Sequence, residues 1–96
     1  MYRFSINQQE WILRFSINVT MEKLEKQRVF KAIVQMGSEL IHFTHGDSFI
    51  IIDKEIGMVV FNVETIPSFI LIVSNVVSDE DWYMYDGQMV KRYTGK

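Results

Sequence analysis

Cysteine is missing from this chain altogether, proline occurs once and histidine twice. Without cysteine there is no disulfide framework and no thiolate to act as nucleophile or soft metal ligand. That usage fits a reducing compartment. The first residues lack the basic start and apolar run that direct secretion, so a cytoplasmic location is the expectation. Long apolar runs are lacking too. The longest, FILIV at 69–73, is far short of the ~20 residues a membrane-spanning helix needs, so no membrane partner is expected. The five glycines stand singly at turn positions. A phosphate-cradling loop needs them clustered, so no nucleotide site, and no cofactor of any kind, is expected.

What is present suffices for a core. Of the 96 residues, 48% are hydrophobic and 23% charged, ordinary values for a folded chain. That length points to a single domain spanning 1–96. Near its start the pentapeptide RFSIN occurs twice, at 3–7 and 14–18. Strands over 2–6 and 11–19, joined through Asn7-Gln8-Gln9-Glu10, would place Ile6 opposite Trp11, Phe4 opposite Leu13 and Tyr2 opposite Phe15. All six then share one apolar face, the alternation a half-buried strand requires. The repeat reads as two arms of one hairpin. On its other face Arg3 lies opposite Arg14, a pairing that invites an anion or simply splays into water.

Thr20 suits an N-cap, and MEKLEKQRVFKAIVQM then reads as a helix ending at Gly37. Its apolar stripe is expected to include Met21, Leu24, Phe30, Ile33 and Val34, with Leu24, Phe30, Ile33 and Val34 packed on the hairpin. After Gly37 the texture changes to short β-type runs at 39–44, 49–53, 58–64, 69–77, 82–85 and 88–94. Thr65 and Pro67 could open a second helix, but the density of Ile and Val in 69–77 argues for a strand. Asp86-Gly87 is a hairpin signal. The expected fold is α+β: an antiparallel sheet, N-terminal hairpin and then meander, packed by one main α-helix in the order ββαβββ(β)ββ. The stretches 49–52 and 69–73 are apolar on both faces. One helix covers only one face, so the far face calls for a curled sheet, a second copy or an apolar ligand.

Residues for chemistry are few. His42, His45 and Asp47 in IHFTHGD suggest a metal, but a strand entering a turn sends positions 42 and 45 to opposite sides, and no metal is expected. No serine lies in a nucleophile elbow, and Asp79-Glu80-Asp81 reads as a solvated turn, so the chain is not expected to be an enzyme. Charge is divided unevenly. Residues 1–36 carry six basic side chains against three acidic, and residues 37–90 carry one against nine. Alternate turns of a meander lie at one end of a sheet. That would gather Asp53, Glu55, Asp79, Glu80 and Asp81 with Trp82 beside them.

These features point to a non-catalytic protein-binding module. It would be a small inhibitor, regulator or adaptor that docks a basic protein surface through Asp53, Glu55, Asp79, Glu80, Asp81 and Trp82. Arg3 and Arg14 form a secondary patch. Small phage or mobile-element inhibitors of nucleic-acid enzymes share this build, and such a module competes with nucleic acid without binding it. The alternative is a homo-oligomeric domain, a homodimer being one form, or a small apolar-ligand-binding domain that works through the far sheet face. A minimal enzyme using a histidine and an acid ranks third.

Overall fold

The computed structural model describes residues 2–77 and the backbone of 90–94. Its elements are β1 (Tyr2–Ile6), β2 (Gln9–Phe15), α1 (Lys23–Met36), a 3-10 helix (Gly37–His42), β3 (Ser48–Asp53), β4 (Gly57–Glu64), β5 (Ile70–Val77) and β6 (Val90–Thr94). The fold is α+β, with one α-helix and a single sheet ordered β1-β2-β5-β4-β3-β6 among the described residues. The β1–β2, β3–β4 and β4–β5 pairs are antiparallel, whereas β2–β5 and β3–β6 are parallel. The expected all-antiparallel sheet is therefore a mixed one. The reason is the crossover: α1 carries the chain back along the sheet, so β3 sets out in the direction of β2. The meander then returns β5, two strands later, parallel to β2 and against it. Of the expected strands, 82–85 and the Asp86-Gly87 turn lie outside the described residues.

The hairpin keeps the expected faces but not the expected register. Phe4 faces Trp11 and Tyr2 faces Leu13, a shift of two residues that preserves every in/out assignment. The turn is shorter than anticipated: Asn7 and Gln8 both take positive φ, 50° and 70°, as in a type I′ turn. Asparagine tolerates this region and glutamine does so poorly. Arg3 therefore lies opposite Ile12 rather than Arg14, and Arg14 lies beside Ile72 of β5. The two RFSIN copies also part company. In the first, Ile6 is buried; in the second the strand stops at Phe15 and Ile17 is fully exposed. The Ser16 hydroxyl turns back to the Asn18 side chain there.

The helix begins later than Thr20. Glu22 is its N-cap, and the Glu25 carboxylate accepts the Glu22 backbone N–H at 3.0 Å. Its buried line is rotated from the expected stripe. Val29 and Ile33 are buried, whereas Leu24 is 76% and Val34 47% exposed. The inward face runs through positions 26, 29, 33 and 36. It opens on a lysine, which hides it from a hydrophobicity pattern: the Lys26 ammonium sits 5.2 Å from the centre of the Phe15 ring. Phe30 meets Tyr2 at 5.0 Å and Phe4 at 5.9 Å between ring centres. The stretch expected as a strand at 39–44 is mostly the 3-10 helix. Leu40 and Phe43, three apart, both reach the core, a spacing that fits a helical turn better than alternation.

On the helix side of the sheet, Leu13, Phe49, Phe61, Leu71 and Val73 are fully buried in one cluster with Val29 and Ile33. Trp11, 2% exposed, lies among them with its Nε1 lacking a hydrogen-bond partner among the described residues. Such a group costs about 1–3 kcal/mol, which the burial of the ring offsets. On the opposite face Ile50, Met58, Val60 and Val77 form a second apolar cluster. Phe49 and Ile51 thus serve one face and Ile50 the other, which is why 49–52 shows no alternation. In β5 the other face carries Ile70 and Ile72, both half-buried.

Two outcomes check this arrangement by chemical denaturation. Leu13→Ala is expected to cost about 2–5 kcal/mol, as buried leucines do, whereas Leu24→Ala stays within about 0.5 kcal/mol. Gln8→Gly, which relieves the positive φ, is expected to stabilise by about 0.5–1 kcal/mol.

Candidate interaction surface

Asp53 ends β3, and its side chain organises the turn that follows. Its Oδ1 accepts the backbone N–H groups of Glu55, at 2.8 Å, and of Ile56, at 3.0 Å. Its Oδ2 accepts the Arg28 Nε at 2.7 Å. The same guanidinium places a second nitrogen 3.2 Å from Glu55. The helix is thus latched to the β3–β4 turn through a side chain that is only 11% exposed at Asp53 and 41% at Arg28. Partial burial by itself would raise the Asp53 carboxyl. The two backbone donors and the guanidinium outweigh it, and the group ends below its ordinary value. Arg28 is shifted upward, chiefly by its hydrogen bond to Asp53.

Glu55 differs from Asp53 in being largely exposed, at 74% of its side chain. It is the described carboxylate of the expected patch that a partner can reach. The same turn leads into Gly57, at a φ of 110°, where an added Cβ would lie 3.2 Å from the Val77 carbonyl oxygen. Met58 is paired with Val77. The C-terminal end of β5 therefore abuts the β3–β4 turn. Asp79, Glu80, Asp81 and Trp82 lie outside the described residues.

The secondary patch is divided. Arg3 forms an ion pair with Glu10 at 3.2 Å, both side chains being exposed. Arg14 stands on the same face of the neighbouring strand, in a row with Ile72. Around it Ile12, Ile70 and Ile72 present half-buried apolar surface opposite the helix. The histidines serve turns: His45 Nδ1 accepts the Thr65 backbone N–H at 3.0 Å, tying the β4–β5 connection to the 44–47 turn. Asp47 Oδ2 accepts the Thr44 backbone N–H at 2.8 Å. His42 closes the 3-10 helix and is exposed. Among the described residues no three metal-ligating side chains converge, and no helix is long and apolar enough to cross a membrane.

Sequence reasoning missed Arg28, assigning it only to the helix. The signal was in the charge map: a basic first third facing acidic turns is complementary to itself before it is complementary to anything else. The chain matches no protein-family model, no curated protein and no solved structure.

The latch has a pH signature. Because the Asp53 carboxyl is depressed in the folded state, its contribution is full above the pKa of an unfolded aspartate, about 3.9, and is lost as pH falls through the lower folded value. Asp53→Asn keeps an acceptor for the turn but removes the charge. Denaturation across pH 7 to 2 is expected to show the wild type more stable by about 1–3 kcal/mol at pH 7, with the gap closing below about pH 4.

Proposed function

We propose that the chain is a non-catalytic protein-binding module, an inhibitor, regulator or adaptor, whose working surface is the sheet end formed by the β3–β4 turn and the exit of β5. The observation that supports this reading is the Met58–Val77 pairing, which brings the last described residue of β5 beside the turn that holds Asp53 and Glu55. Arg28 and Lys54 balance Asp53 and Glu55 there. In this reading the net negative charge of the surface is assigned to the three acids at 79–81, and its aromatic anchor to Trp82. A partner with a basic surface fits this charge, including a protein whose own ligand is nucleic acid. A second reading is favoured by the half-buried Ile12, Ile70 and Ile72 on the face opposite the helix: an apolar ligand or a second chain seated there.

Affinity capture with the tagged chain, eluted in salt steps, separates the two. A basic protein retained by the wild type and released early by the D79K/E80K/D81K variant supports the sheet-end reading. Equal retention by both at low ionic strength rejects it and leaves the isoleucine face.

A further inference from the structure

Among the described strands β1 occupies one edge of the sheet and pairs only with β2. The hairpin geometry decides which way its backbone points. Asn7 and Gln8 form a two-residue turn, so Ile6 and Gln9 exchange hydrogen bonds, and so do Phe4 with Trp11 and Tyr2 with Leu13. The N–H and C=O groups of Arg3 and Ser5 are therefore directed at the open edge. Natural edges are guarded by proline, a bulge or an unpaired charge. β1 has no proline and no break in its register, and its single charged side chain, Arg3, is already neutralised by Glu10 at 3.2 Å. On the helix side of the edge Tyr2 and Phe4 remain half-buried, leaning on Phe15, Phe30 and Trp11 with one flank open.

We infer that this edge binds a second copy of the same chain, β1 antiparallel to β1, with Phe4 opposite Phe4 of the second copy. The strand is self-complementary in that register. Tyr2 falls opposite Ile6, so the open flanks of the aromatic rings are covered by apolar side chains on the same face. Arg3 falls opposite Ser5, and the outward N–H and C=O groups of these two residues exchange hydrogen bonds. The whole of Tyr2–Ile6 is paired. Sliding by one step to bring Arg3 opposite Arg3 shortens the overlap and sets like charges face to face. The contact is isologous and closes on itself, joining two sheets into one continuous sheet without leading to a fibre.

The test is sedimentation equilibrium of the full chain from micromolar to millimolar concentration, with amide hydrogen exchange at Arg3. The wild type is expected to dimerise, and its Arg3 amide to gain protection as the dimer fills. Ser5→Arg sets two arginines opposite each other twice in the dimer, while within one chain the new side chain lies opposite Glu10. It is expected to weaken the dimer about three- to thirtyfold with the melting temperature unchanged or raised. Ser5→Pro removes the outward N–H without touching the ladder to β2, and is expected to abolish the dimer. A wild type that stays monomeric throughout overturns the inference. So does a dimer that Ser5→Arg and Ser5→Pro leave intact, with the Arg3 amide exchanging freely, since that dimer forms elsewhere.

Discussion

One helix crosses from β2 to β3 on one face of the sheet, and that crossover dictates the rest. It turns the chain back once, so β3 begins parallel to β2 and the three-strand meander must finish with β5 against β2. It also fixes which residues are core. Val29 and Ile33 close over the face that carries Leu13, Leu71, Val73, Phe49 and Phe61, and each of these is nearly or wholly removed from water. The opposite face gathers a smaller cluster around Ile50 and Val60 and leaves Ile12, Ile70 and Ile72 partly wet.

Arg28 adds direction to this burial. Apolar contact lets a helix rotate or slide at modest cost, whereas a guanidinium held by Asp53 and Glu55 fixes where the far side of the helix lies over the β3–β4 turn. Asp53 is the pivot, since the same carboxylate also shapes the turn through the Glu55 and Ile56 amides. Two acids expected to face a partner thus have different duties. Asp53 is committed within the fold, and Glu55 shares the same cation while remaining exposed.

The legible part of the sequence was its parity and its punctuation. Alternation in 2–6 and 11–15 gave the shared face of the hairpin, Gly37 marked the helix end, and the Ile- and Val-rich run at 69–77 was a strand. Register was not legible, because a positive-φ turn at Asn7-Gln8 carries no glycine to announce it. The helix face was misjudged because its inward line opens on Lys26, while Leu24 and Val34 are apolar and exposed. ELIHFT has the composition of a strand, yet Leu40 and Phe43 meet the core through a helical turn. The parallel pairing of β2 with β5 follows from how the helix returns the chain, which no local window records. At the candidate surface, the capture of Asp53 by Arg28 was not legible, because it is a contact between positions 25 residues apart.

The parallel pairing of β2 with β5 also sets the order in which a ribosome can deliver a finished sheet. The hairpin and helix emerge early, and residues 12–15 find their neighbours only when 70–73 have been made. Until then β2 has a bare edge lined by Ile12, Leu13 and Phe15, in a nascent chain whose β1 edge is open as well. During synthesis a strand that ends up inside the sheet is at its border. Nothing in β5 can shield that border until the strand has been made, because β5 covers it only in the finished sheet.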